Sequence, residues 1–516
     1  MSLQAIIKKC VVKELIDLDT IDTHCKIPNY LNKLLIVDST TLIFLRELIK
    51  PSELTEKGFI SIQDIKVLLQ PLAIHLIYFV HPTVENFQLI LDVFAKASCP
   101  FLSANIFCPS TIPDAVMKMI KSNSVLVSKI MNLKEFHISF TVEGPNVVTL
   151  GPHMTIPFVY SQSSRESTVK DISQRIVDLF TIMNDCPSIR FMASSELSEN
   201  VADKLSAALS AISEQNPNFG KEGTELKKNA CLILERNFDP RAPFIHYLTT
   251  EPIARDLLEI EDDFVEFNKN SKNSMRMYFT DPDPVWQSFR FMHIAEVMAQ
   301  VNIKVKEFSS LHKVHISDEK VTVSSLRSAI SKFPAFRSEF KRFELLTLLS
   351  NAIMDKYKEL NLKEIVSAEQ ELATNENSKG EPVPDNPALY VNLLGDIKSK
   401  IDRFRLISLF ALKNDNGLSK AILDKLFKDA DIDFAKQALS AFETLGFPII
   451  ADRANRRMRI LPRCSDSSVS TGYDDSRFIP VIWDILKQFI GQNLDESLFP
   501  FKGRKSTLTL SVFFST

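Results

Sequence analysis

The chain has 516 residues, enough for about three domains at roughly 150 residues each. Apolar residues make up 45% and charged residues 24%, with 61 basic against 64 acidic side chains and a net charge of −3. That is an ordinary globular composition, and it excludes a globally basic nucleic-acid binder. No run approaches the ~18 apolar residues of a membrane span, and Lys8, Lys9, Lys13 and Glu14 interrupt any apolar leader. Seven scattered cysteines without a CxxC pair predict reduced thiols in a cytosolic setting. Phe is common, at 37 residues, and its general role is core packing.

Ile6, Ile7, Val11, Val12 and Leu15 repeat at helical spacing, so the chain opens on an amphipathic helix. Apolar runs at 34–37, 76–80 and 105–108 predict buried strands, and 136–141 predicts a fourth. Helical stretches such as 84–94 lie between them. Apolar strands alternating with helices predict a parallel sheet covered on both faces. A second region, 142–229, carries helical patterns at 169–183 and 197–212 around a strand at 187–191. Residues 215–228 are polar and predict a surface loop. The run 230–234 predicts another buried strand, which stops at the corner Glu235 to Pro240. Asp239 can bond its own turn there, and Pro240 fixes φ where the strand ends.

From about 241 to 464 the pattern is mainly helical. Asp283-Pro284 reads as a capped helix start. His293 has no second His or Cys at ligand spacing, so it reads as a helix-packing residue and not a metal ligand. Leu326, Ile330 and Phe333 share one helical face, and Phe336, Phe340 and Phe343 continue it, but Pro334 interrupts them. Proline within a helix costs about 3 kcal/mol. The segment therefore bends back at Pro334, as an ordinary helical corner would, or strains to extend. Residues 447–450 and 458–461 predict two short strands around clustered Arg453, Arg456, Arg457, Arg459 and Arg463. This basic hairpin, 447–463, offers an alternative reading as a nucleic-acid or anionic-lipid contact. No phosphate-binding loop, dinucleotide fingerprint, HExxH or GxSxG occurs, so no catalytic activity and no cofactor are expected.

Several stretches resemble one family. Leu234, Arg236, Phe238, Asp239, Pro240, His246, Leu248, Thr249 and Asp256-Leu257-Leu258 are similar to the signature of the SM (Sec/Munc) family, cytosolic proteins that bind syntaxins and SNARE complexes. Val37-Asp38, Tyr78 to Thr83, Pro187 to Phe191, Asp283 to Val297, Glu369 to Thr374 with Gly380, Asp402 with Arg405, Ser476 to Ile482 and Leu494 to Pro500 follow in family order. The Glu369 stretch is nearest the exocytic, plasma-membrane branch.

The resemblance implies an α/β, three-domain arch: 1–141 and 142–240 with 465–516 as parallel-sheet α/β domains, and 241–464 as a large helical domain. It implies a syntaxin cleft at Asp38, Lys50 and Gln63, with Gln63 where an acid is usual. It implies a pocket for a syntaxin N-terminal peptide at Ile112, Met117, Leu133 and Glu135, with Met117 in place of an aromatic, and a hinge at Pro334. The expected partners are a syntaxin-type SNARE and the assembled SNARE complex. Nucleic acid is not expected. The protein is expected to be a cytoplasmic monomer that meets plasma or secretory membranes only by recruitment, acting in vesicle docking and fusion. The family usually continues beyond the point where this chain reaches Thr516. Either the second-domain sheet is trimmed or the sequence is truncated, and exposed apolar surface on that domain is expected.

Overall fold

Ser2 accepts the amide of Ala5 at 3.2 Å and starts helix α1 (Leu3–Val11). The helix closes in one wider turn, in which the Asp17 amide reaches the Val12 carbonyl at 2.7 Å. The computed structural model describes residues 2–19, 26–46, 48–95, 99–150, 159–160, 165–223, 225–226, 229–260, 264–268, 274–279, 283–312, 321–333, 336–384, 393–413, 417–447, 449–450, 473 and 476–505. They fall into two compact units, Met1–Leu234 with Asp495–Thr516, and Glu235–Leu494.

In the first unit β1 (Lys33–Val37), α2 (Ser39–Arg46), α3 (Pro51–Glu56), β2 (Phe59–Asp64), β3 (His75–Phe79), α4 (Val84–Val93), β4 (Ser103–Cys108), α5 (Asp114–Ser122), α6 (Ser124–Lys129) and β5 (Ile130–Glu135) follow one another. The five strands pair in parallel in the order β2-β1-β3-β4-β5. Side chains alternate along a strand, so the sheet feeds two cores. Leu35, Val37, Ile77, Phe79 and Phe107 pack on one face with Ile7, Val11 and Leu15 of the opening helix. Leu34, Ile36, Leu76, Tyr78 and Ile106 pack on the other with Phe87 and Ile90 of α4 and Val116 of α5. Each such side chain contributes about 1.5–3 kcal/mol of burial.

The fourth predicted strand is displaced. The strand is β5, and 136–140 lies beyond it, outside any ladder. The Phe136 amide makes a last rung to the Cys108 carbonyl at 2.6 Å. Phe136, Ile138 and Phe140 then alternate into the first core, which gives them a strand-like pattern without a strand partner. The sequence reading also passed over β2. Ile60, Ser61 and Ile62 are all exposed, so this edge strand lacks the buried signature of β1 and β4.

A hairpin follows, β6 (Thr141–Gly144) with β7 (Val147–Thr149). Then come α7 (Arg165–Ile182), β8 (Ser188–Phe191), α8 (Glu196–Gln215) capped by Ser195, the small ribbon β9 (Lys221–Glu222) and β10 (Glu225–Leu226), and β11 (Ala230–Ile233). In the second unit the ribbon β12 (Phe264–Phe267) and β13 (Met275–Tyr278) is set among helices α9 (Thr250–Leu257), α10 (Pro284–Phe289), α11 (Ile294–His312), α12 (Val323–Lys332), α13 (Arg337–Glu359), α14 (Leu362–Thr374), α15 (Lys400–Lys413), α16 (Lys420–Asp429), α17 (Ala435–Leu445) and α18 (Val481–Ile490). The chain then returns to the first unit as β14 (Phe501–Lys502).

The second sheet is mixed, in the order β11-β8-β14, with β14 antiparallel to β8. Arg190 holds the returning tail: its Nε donates to the Phe499 carbonyl at 2.8 Å and its guanidinium covers the Phe501 ring. β11 was expected to be buried. It is half-buried throughout, because it forms the outer edge of this small sheet among the described residues.

The motif residues of the second unit converge. Asp239 Oδ1 accepts the amides of Arg241 and Ala242, each at 3.2 Å, and its Oδ2 accepts the Val481 amide at 2.8 Å. His246 donates from Nδ1 to Glu369 Oε1 at 2.8 Å, and Arg405 meets His246 Nε2 at 2.5 Å and Asp256 at 2.6 Å. Arginine only donates, so His246 Nε2 is the acceptor of that contact. One buried network thus ties α9, α14 and α15 together. A second buried pair, Arg290 Nε to Glu251 Oε2 at 2.7 Å, fixes the chain after α10 to α9.

Candidate binding surfaces

Asp38 leaves the C-terminal end of β1, beside the position where strand order reverses between β1 and β3. Ligands of open parallel sheets gather at such a point. Here the carboxylate is already saturated. Oδ1 accepts the Thr40 amide at 3.0 Å and the Thr41 amide at 2.9 Å. Oδ2 accepts the His81 amide at 2.7 Å, His81 Nδ1 at 3.0 Å and Asn86 Nδ2 at 3.3 Å. Burial opposes ionisation, but the His81 contacts and the Thr41 amide outweigh it and hold the carboxyl at about 2. Asp38 therefore pins the loops after β1 and β3 to each other.

Lys50 is exposed at the start of α3, where Glu53 Oε2 accepts its amide at 2.9 Å. Gln63 lies on the edge strand, and its Oε1 is buried with no hydrogen-bond partner among the described residues. Along and after this strand, other side chains leave apolar surface exposed. Ile60 is 56% exposed and Leu68 93%, with Ile62, Val67 and Leu72 also exposed. The sequence reading had named Gln63 but not this apolar surface. Two isoleucines two residues apart on a half-open strand were the signal available.

Ile112, Met117, Leu133 and Glu135 are brought together. Ile112, Met117 and Leu133 belong to the second core with Val116 and Ile120. Glu135 Oε1 accepts the Ile112 amide at 2.8 Å. Met117, Leu133 and Glu135 are half-exposed, so an apolar patch ends in a carboxylate. Burial, with Glu135 and Asp38 nearby, pushes the neighbouring Cys108 thiol up to about 12. Beyond Glu135, Asp178 of α7 is buried, which raises its carboxyl above the usual range.

Pro334 lies outside the described residues. On either side, α12 ends at Lys332 and α13 begins at Arg337. Arg327 Nε meets Glu344 Oε1 at 2.5 Å, so the two helices lie side by side. Phe308 of α11 contacts Phe336, Phe340 and Phe343. His293 stands just before α11, its Nδ1 accepting the Ala295 amide at 3.3 Å and its ring stacked on Tyr473. It packs at a helix start and not on a helix face. Most of the predicted basic hairpin, 451–463, also lies outside the described residues. Its first segment is buried, and Ile450 bridges in parallel to Leu418.

An open parallel α/β sheet joined in sequence to a helical unit, with candidate sites that are surfaces, defines the class. Among the described residues no group of three His, Cys, Asp or Glu side chains could hold a metal. The chain belongs to the Sec1 family, whose model matches residues 33–511. It is 26% identical over 487 residues to the protein transport protein sec1 of Dictyostelium discoideum, covering 91% of this chain and 79% of that protein. The Unc18 chain of the Unc18–syntaxin 1 complex from Monosiga brevicollis is 26% identical, with a TM-score of 0.85 over 97% of this chain and 88% of its own. The SM protein Vps45, solved with the Qa SNARE Tlg2, shares the fold at 16% identity, with a TM-score of 0.73 over 97% of this chain and 88% of its own.

Proposed function

We propose that this protein binds a syntaxin-type SNARE as a folded helical bundle and supports SNARE-complex assembly in vesicle docking and fusion. Membership of the Sec1 family supports the reading, as does similarity to an Unc18 chain solved with syntaxin 1. The observation that carries it is the apolar surface along and after β2, where Ile60, Ile62, Val67 and Leu68 are exposed. Such a surface suits the apolar stripe and polar flank of a helix. Lys50 supplies a charge near it, and Asp38 positions the loops behind it. The patch at Ile112, Met117, Leu133 and Glu135 takes the N-terminal peptide of the same partner. The division into 1–141, 142–240 with 465–516, and 241–464 belongs to this proposal. The separation of the five-stranded sheet from the three-stranded sheet within the first unit supports it. No described helix is long and apolar enough to cross a membrane. Recruitment by the partner from the cytoplasm is the matching mode of action, and its work is binding and not catalysis.

Calorimetry of the purified chain against a cytosolic syntaxin fragment, with and without its N-terminal peptide, tests this. Tight binding that Lys50→Glu weakens about tenfold, or ~1.4 kcal/mol, is expected. Binding that needs only the N-terminal peptide would replace the bundle clamp by a peptide-led mode. A folded chain that binds no syntaxin would defeat the proposal.

A further inference from the structure

His137 follows β5 in a left-handed backbone conformation, φ +47°. Few residues other than glycine enter that region, and Asn, Asp and His do so most readily. The turn sets the imidazole between two carboxylates. Nε2 is 3.6 Å from Glu135 Oε2, and Nδ1 is 3.8 Å from Asp178 Oδ1. Asp178 is buried on α7, while His137 and Glu135 are 39% and 36% exposed at the side chain. The other charges facing this group are spoken for. Arg175 of α7 pairs with Asp171 and donates to the Leu150 carbonyl, and Lys134 of β5 pairs with Glu14. Asp178 also accepts from Ser139 Oγ and Gln174 Nε2, each at 2.9 Å. Glu135 has one oxygen on the Ile112 amide and the other facing His137.

We propose that His137 sets the charge at the rim of the Ile112–Met117–Leu133–Glu135 patch, and so tunes its affinity for a peptide bearing a cationic group. As imidazolium it pairs with Glu135 and Asp178 and cancels the attraction of the rim for a cation. As neutral imidazole it leaves the Glu135 carboxylate to the peptide. This rests on the reading of the patch as a peptide pocket. Among the described charged groups named here, the imidazole is the type of side chain that changes charge between about pH 5 and pH 8.

The test is calorimetry of the full chain with the synthetic N-terminal peptide of a syntaxin between about pH 8 and pH 5.5, spanning histidine titration. Affinity should fall roughly two- to five-fold towards acid, the range of a partly exposed ion pair. His137→Asn keeps a residue at ease with positive φ and should flatten the profile. A second readout needs no peptide: the His137 ring titration, followed by NMR, should move to lower pH in Glu135→Gln. Parallel pH profiles in the wild type and His137→Asn overturn the proposal, as does a His137 titration indifferent to Glu135→Gln. A peptide that binds at no pH, with the titration still coupled, overturns the pocket reading and the gating with it.

Discussion

Asp38 shows how one carboxylate can be structural at a position expected to meet a partner. Its folded value of about 2 lies below the usual 3.8. The stabilisation it gives is therefore fully present above about pH 4 and is lost as pH falls through about 2. A shift of that size corresponds to about 2 kcal/mol. Asp38→Asn should lose roughly that much in denaturant titration at pH 7, because the amide turns a donor towards His81 and Asn86. The difference from wild type should shrink steadily below pH 4. A pH-independent difference would mean that the Asp38 charge is not what holds the two loops. Charge reversal at Lys50 tests direct contact more cleanly than reversal at Asp38, since Lys50 is exposed and Asp38 is not.

Among the elements, the helical unit depends on the network that joins α9, α14 and α15. His246 and Glu369 are 3% and 0% exposed, so an unpaired charge there has no water to turn to. Arg405→Ala should cost about 1–3 kcal/mol, the range for leaving hydrogen-bonding groups unsatisfied, since Asp256 keeps 27% of its side chain exposed. A loss under about 1 kcal/mol would show that the network is incidental. The pair α12 and α13 sets up a contrasting case. The Arg327–Glu344 pair and the rings about Phe308 favour the folded-back arrangement seen here. Removing proline from a helical path relieves about 3 kcal/mol of strain against extension. Pro334→Ala should therefore raise helicity by circular dichroism and strengthen binding to the assembled SNARE complex. No change in either would remove the hinge.

At the scale of the molecule, the two sheets end differently. The first is covered on both faces and leaves its two edge strands, β2 and β5, partly exposed. The second has three strands, with a half-buried β11 at one side and the two-residue β14 at the other. In the second unit, α18 exposes Trp483 and Leu486. Sedimentation should find a monomer, since a stable dimer needs one continuous surface of about 800 Å² per partner and the exposed apolar residues are spread over separate elements. A concentration-dependent dimer would contradict that.

The sequence by itself determined the parallel first sheet, most helices of both units and the corner at Asp239. In each, a buried apolar period or a capping residue is local and needs no partner to be read. The family stretches were legible for the same reason. What only the tertiary structure decided is pairing. Phe136 to Phe140 alternates like a strand but has no ladder, and β2 pairs without the apolar run that announces a strand. Asp38 spends its charge inside the fold because His81 and Asn86, more than 40 residues on, turn donors towards it. His137 sits between Glu135 and Asp178 only because the chain brings α7 back against the end of β5. Hydrogen bonds and charges act through space, whereas periodicity acts along the chain. The helices and the buried strands could be read in order, while the candidate surfaces had to be seen assembled.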